Sequence, residues 1–390
     1  MKFNCKKWIT KAILTASAMI AITFPMASAQ PAAAAGTGSA GLVNSLEQTL
    51  ASRQPAGLKF SDVQFLSDHI GRAAGSGFMI GTSNGGADWQ KIYTGQWQFA
   101  QIDFTDNVNG WALASVSPDQ PARYLIRTSD GGSHWTRIST GSVAFDRIQF
   151  LNKQTGFAYA YNAVYRTNNG GVSWNQVKTP ANTRGAFFSN INNGFAVVVV
   201  PGSGYRVMKT TNGGSHWSLS LRVNSSMNAT SGDVYSSGQQ TYVILYGGAG
   251  MSQISYSMYA TTDGGQHWTK DISQSTAGGG PAPGGRDGLK KEGPAGPGGH
   301  PGNMQLIGSS TAYLSAGSPA GEVVGIGRSA NGGRSWNNLK SDIAGYSSVI
   351  SFRSAQTGYL AVTGFRNPAV YVTHDGGQTW TPLIQFHEKH

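Results

Sequence analysis

Carboxylates are the first residues in this chain that could do chemistry. Hydrolysis of a glycosidic bond needs two facing acid groups, one to protonate the leaving oxygen and one to act as base or nucleophile. Asp62, Asp103, Asp146 and Asp233 all stand at or beside segments of alternating apolar and polar residues. Strand-like segments of this kind can turn such side chains toward a common axis. Asp103, Asp146 and Asp233 are therefore the weak catalytic candidates. Glutamate is scarce, with only Glu47, Glu292, Glu322 and Glu388 present. Of the eight histidines, His134, His216 and His267 occupy the same place in separate copies of one motif, so they do not form a cluster with ligand spacing. No phosphate-cradling loop, serine-nucleophile elbow or dinucleotide fingerprint appears. The expectation is neither metal nor cofactor.

The elements that would position these residues are announced by a repeated octet. TSDGGSHW (128–135) recurs as TSNGGADW (82–89), TNNGGVSW (167–174), TTNGGSHW (210–217), TTDGGQHW (261–268), SANGGRSW (329–336) and THDGGQTW (373–380). Each copy ends a longer unit. In the clearest one, QIDF (101–104) and a polar turn precede GWALA (110–114), and YLIR leads into the octet. RIQF with GFAYA, GAFF with GFAVVVV, and VISF with GYLAV repeat the scheme at 147–160, 185–200 and 349–362. The octet tryptophans are spaced 46, 39, 43, 51, 68 and 44 residues apart. Four alternating segments per period of about 40–50 residues is the pattern of a β-propeller. The spacing predicts an all-β, seven-bladed propeller of four-stranded antiparallel blades over 59–386, with a tail at 387–390.

Within each unit the octet falls at the hairpin between the third and fourth strands. Its third residue (Asn84, Asp130, Asn169, Asn212, Asp263, Asn331 or Asp375) is suited to accept backbone N–H groups in the turn. Two glycines supply backbone angles closed to other residues. The terminal tryptophan (Trp89, Trp135, Trp174, Trp217, Trp268, Trp336 or Trp380) opens the outer strand and buries its ring on the blade. These residues read as structural, not catalytic.

The pattern Ser/Thr-x-Asp/Asn-Gly-Gly-x-x-Trp resembles the Asp-box (BNR) repeat of sialidases, sortilin-type receptors, certain xyloglucanases and the photosystem II assembly/stability factor family. The combined pattern of residues 102–135 looks most like the last of these. The resemblance implies a propeller over about 59–386, and leaves function open between a binding scaffold, a glycoside hydrolase and an assembly factor for a membrane complex such as photosystem II. A sialidase would need a tyrosine nucleophile paired with glutamate, and only Glu322 stands in the repeat region outside the insert and tails. The Arg-Ile-Pro segment typical of sialidases is absent.

Outside the repeats, residues 1–29 read as an export leader. Four lysines precede the apolar AILTASAMIAITF, and Ala27-Ser28-Ala29 fits a cleavage site before Gln30. Cys5, the sole cysteine, would be lost with it, so the mature chain would lack disulfides. A linker at 30–58 contains leucines at 42, 46 and 50, the spacing of one helical face. The formal charge of +11 falls to about +7 without the leader, and no basic run exceeds Lys290-Lys291. Nucleic acid is thereby disfavoured as a partner. A Gly/Pro-rich insert at 275–302 reads as a flexible loop on the face opposite the octets. Connecting loops on that face carry Trp97, Phe99, Phe145, Arg184 and Arg366, the binding candidates. The expected protein is a monomeric, exported or envelope-located, non-catalytic propeller. It would bind a protein or a wall or glycan polymer, either of them acidic, through that face.

Overall fold

The computed structural model describes residues 37–54, 57–117, 124–141, 143–225, 229–250, 252–285, 294–318, 321–363 and 368–387. The leader assigned to 1–29, the start of the linker, Arg366 and the last three residues lie outside that set. Helix α1, Thr37–Leu50, buries Val43, Leu46 and Leu50 on one face. All other regular elements are strands.

The first sheet holds β1 (Phe60–Phe65), β2 (Gly71–Thr82), β3 (Gln90–Phe104), β4 (Gly110–Ser115), β5 (Tyr124–Thr128) and β6 (Thr136–Ile138). The second holds β7 (Arg147–Phe150), β8 (Gly156–Ala160), β9 (Ala163–Thr167) and β10 (Asn175–Val177). The third runs from β11 (Thr183–Phe188) through β12 (Gly194–Val200) and β13 (Gly204–Thr210) to β14 (Ser218–Asn224). The fourth comprises β15 (Ser231–Ser237), β16 (Gln240–Ala249), β17 (Ile254–Thr261) and β18 (Thr269–Gln274). The fifth comprises β19 (His300–Ile307), β20 (Thr311–Gly317), β21 (Gly325–Ser329) and β22 (Asn337–Leu339). The sixth comprises β23 (Ser348–Phe352), β24 (Gly358–Val362), β25 (Ala369–Thr373) and β26 (Thr381–Gln385).

The structure is thus an all-β propeller of antiparallel sheets, with six blades instead of the seven expected from the octets. The reason lies in β3, which stays extended for 15 residues. Its residues 90–98 pair with β2 and its residues 98–104 pair with β4, so two repeats share one six-stranded sheet. The segment GQWQFA (95–100), expected to be a connecting loop, is strand throughout.

Every octet forms the same corner. In the second copy, Gly132 N–H donates to Thr128 Oγ1 at 3.0 Å, the Thr128 hydroxyl donates to Asp130 Oδ1 at 2.8 Å, and His134 N–H donates to the same Oδ1 at 3.0 Å. Partial burial works against the Asp130 carboxylate. The His134 N–H and ring and the Thr128 hydroxyl outweigh it and hold Asp130 down to about 2. Both glycines need left-handed backbone, with φ +77° at Gly131 and +104° at Gly132. The second glycine has another reason to lack a side chain. A side chain of the neighbouring outer strand fills its space: Leu383 at Gly86, Val177 at Gly214, Leu339 at Gly377.

Rings lock the sheets to one another. Trp111 stacks on Phe150, Phe157 on Phe188, Tyr313 on Phe352 and Tyr359 on Phe65, with centroid separations of 3.7, 4.7, 3.5 and 3.2 Å. Arg72 takes the same place in the first repeat, its guanidinium 4.3 Å from the Phe104 ring centroid. Among the described residues no strand is exchanged between the first and last sheets. β1 sits beside the last sheet through Tyr359, and the Phe65 N–H donates to Ser351 Oγ at 2.9 Å. Phe60 stacks on Phe386, and Glu47 of α1 accepts the His387 N–H at 2.8 Å. Among the described residues no helix is long and apolar enough to cross a membrane.

Candidate functional site

The inner strands are sheet edges, so half their backbone groups have no strand to pair with. Aligned, they read DVQF (62–65), QIDF (101–104), RIQF (147–150), GAFF (185–188), DVYS (233–236), NMQL (303–306) and VISF (349–352). The first and third residues of each tetrad lie on the channel side. Many of them supply the missing partner to the next strand. Gln101 Oε1 accepts the Ile148 N–H at 2.9 Å while its Nε2 donates to Ile148 O at 2.8 Å. Gln64 does the same for Phe104, Asn303 for Ile350 and Gln305 for Phe352.

This ladder accounts for Asp103. Its carboxylate accepts the Phe150 N–H, and Asp62 likewise accepts the Ile102 and Val63 N–H groups. Burial pushes both carboxyls up to about 7, against the lowering effect of those backbone donors. Asp103 is therefore a wall residue that takes the place of an absent strand, apart from the other two candidates.

The ladder gives way where its amides are replaced. Arg147 stands for glutamine, Gly185 and Phe187 interrupt the next tetrad, and Tyr235 the one after. There a cavity of about 440 Å³ opens at the end of the ring where the inner strands begin, opposite the octets. Asp146, Arg147, Tyr159, Tyr161, Arg184, Asp233, Tyr235 and Tyr246 line it. The Arg147 guanidinium lies 4.3 Å from the Tyr159 ring centroid and donates to Ala186 O at 2.6 Å. Arg184 lies 4.8 Å from the ring of Tyr161, an exposed turn residue. Neither arginine makes an ion pair among the described residues. Tyr246 donates to Asp233 Oδ2 at 2.8 Å. Burial pushes Tyr159 up to about 12 and also raises Tyr235 and Tyr246 well above the ordinary phenol range, so all three phenols keep their protons.

Of the binding candidates among the described residues, only Arg184 reaches this cavity. Trp97 and Phe99 are buried in the core of the first sheet, where Phe99 meets Trp135 edge-on. Phe145 is buried against Tyr165 and Trp174. These three rings are packing residues because the segments carrying them turn inward or continue a strand. Asp146 and Asp233 do share the cavity; Asp103 does not. Arg147 and the tyrosines went unmarked in the sequence. The signal for them is the break in the tetrad pattern at RIQF, GAFF and DVYS.

The exposed octet histidines bind no common centre. His134 and His267 each sit 2.6 Å from the aspartate of their own octet. No group of three or more metal-ligating side chains occurs among the described residues.

Ring, octet corners and channel-mouth cavity together define a β-propeller. Comparison with solved structures agrees. YCF48 from Cyanidioschyzon merolae aligns with a TM-score of 0.52 at 16% identity, over 83% of this chain and 98% of that one. A YCF48 bound to a D1 peptide aligns with a TM-score of 0.47 at 16% identity, over 83% and 91%. The GH74 enzyme of Niastella koreensis aligns with a TM-score of 0.36 at 12% identity, over 84% and 72%. No protein-family model and no curated protein sequence matches the chain.

Proposed function

We propose that this propeller is a non-catalytic binding protein that takes a polypeptide segment at the channel mouth. Arg147 and Arg184 receive a carboxylate of that segment, and the exposed Tyr161 ring covers an apolar side chain beside it. The observation that carries this reading is the pair of arginines without acidic partners among the described residues, each stacked on a tyrosine at one cavity. A stacked guanidinium is held in position and still presents its N–H edge to a carboxylate. The assembly-factor form of the Asp-box resemblance is consistent with such a site. A screen of the purified chain against an array of acidic peptides tests it. Arg147→Ala with Arg184→Gln is expected to weaken the best binder at least about tenfold, the scale of losing charge-assisted bonds. Unchanged peptide affinity in the double variant would refute the reading.

A second reading, glycan hydrolysis, draws on Asp146 and Asp233 lining the same cavity. Cleavage of a glycan panel that disappears in Asp146→Asn and Asp233→Asn would replace the first reading with this one. We also propose that the protein works outside the cytoplasm after removal of residues 1–29. Mass spectrometry of protein from the native host should then find Gln30 as the N-terminus, and a retained leader would overturn that assignment.

A further inference from the structure

The acidic residues are distributed unevenly around the ring. Of 29 Lys+Arg and 18 Asp+Glu, eight basic residues and no acidic one fall within 147–232, the stretch that forms the second and third sheets. The absence of carboxylates extends to positions where the fold asks for Asx. Asp106 accepts two turn N–H groups in the first sheet, and the same task falls to Asn152 in the second and Asn190 in the third. In the octets, Asp130 and Asp263 are matched here by Asn169 and Asn212, which accept the equivalent N–H at 2.9 and 2.8 Å. An amide and a carboxylate serve these turns alike, yet only the amide leaves the local potential positive.

The octet end of the same two sheets also exposes apolar side chains. Val172 is 67% exposed, Ile191 46% and Leu219 49%. Val172 and Ile191 project from separate turns, and Leu219 stands just beyond an octet tryptophan, so they are separate points, and none of them lines the small cavity between Val177 and Gly214 at this end. Lys153, Arg166, Lys178 and Lys209 surround them at or near this end.

We propose that the octet end of β7–β14 docks on an anionic lipid surface. A plane of negative headgroups matches a spread field of cations, and separated apolar tips can enter its interfacial layer without a complementary partner groove. The cavity then faces away from the bilayer, so this inference stands apart from the peptide-binding reading and can fail alone.

Co-sedimentation of the full chain tests it, with vesicles of phosphatidylcholine containing about 30% phosphatidylglycerol against vesicles of phosphatidylcholine alone. Binding is expected only to the anionic vesicles, and is expected to fall at least about tenfold at ~0.5 M salt, where charge interactions are screened within a few ångströms. The variant Asn152→Asp, Asn169→Asp, Asn190→Asp, Asn212→Asp keeps every turn acceptor and is expected to melt like the parent while losing vesicle binding about tenfold or more. Val172→Ser with Ile191→Ser should weaken binding several-fold without changing its salt dependence. Equal binding to neutral and anionic vesicles overturns the proposal, as does an unaffected four-Asp variant. Capture of soluble polyglutamate without vesicle binding would also overturn it, assigning the rim to an acidic polypeptide instead.

Discussion

Asp271→Val is expected to stabilise the protein, by about 2–4 kcal/mol above pH 8 and by much less near pH 5. Asp271 stands three residues after its octet tryptophan, where other repeats carry Ile92, Ile138, Val177, Leu339 and Leu383 against the second glycine of a neighbouring octet. Here a carboxyl group meets Gly333 in the same space. It is 3% exposed, and its Oδ2 has no hydrogen-bond partner. Burial pushes Asp271 up to about 8, with the Thr269 hydroxyl pulling weakly the other way. The folded state therefore holds a proton that the unfolded chain, titrating near 3.8, gives up. The associated stability is complete below pH ~4 and is lost as pH rises toward 8. Asp62 and Asp103 titrate in the same sense, but only up to about 7. Asp271 therefore contributes a share of the slope of stability between pH 7 and 8 that its removal takes away. Urea denaturation across that interval is the measurement, and a valine variant with the parental slope would contradict the assignment.

Gly185→Ala should be among the most damaging single substitutions, costing about 3 kcal/mol or more and abolishing binding at the cavity. A methyl group at this position would fall 1.7 Å from Gly232 O on the adjacent inner strand. The clash is with backbone, so no side chain can rotate away. Gly232 is also confined, between Ile244 O and the Val197 side chain. The two glycines let β11 and β15 approach, and both line the cavity. Gly41→Ala is the control, since nothing lies within 4 Å of its added carbon and it sits in α1. That change should be neutral or mildly stabilising. A Gly185→Ala variant with the parental denaturation midpoint would show that the two strands can separate without cost.

How much of this could be read beforehand follows from which interactions are local. The octet is a closed set of bonds within eight residues, so its corner geometry is legible from TSDGGSHW alone. The channel tetrads are legible as alternation. Their side chains bond to a strand about 40 residues away, however, and nothing in QIDF alone shows that Asp103 serves Phe150. The blade count failed for a similar reason. The spacing between tryptophans marks repeats, whereas the number of sheets depends on whether a connection such as Gly95–Gln98 bends or stays extended. Trp97, Phe99 and Phe145 stand in segments that read as loops, where an aromatic residue looks exposed until its neighbours are known. The cavity was legible in principle, as the run where Arg147, Gly185, Phe187 and Tyr235 stand at positions that carry amides in DVQF, QIDF and NMQL.

Among the described residues, the first and last sheets meet through α1, the Phe60–Phe386 stack and the Glu47–His387 contact, with no strand passing from one to the other. Tension that drew the first and last sheets apart would therefore load packed side chains and a few side-chain hydrogen bonds first, before any hydrogen-bonded ladder was sheared. The circle has a mechanical fuse at one known place. Everything beyond it can stay zipped while the first and last sheets part.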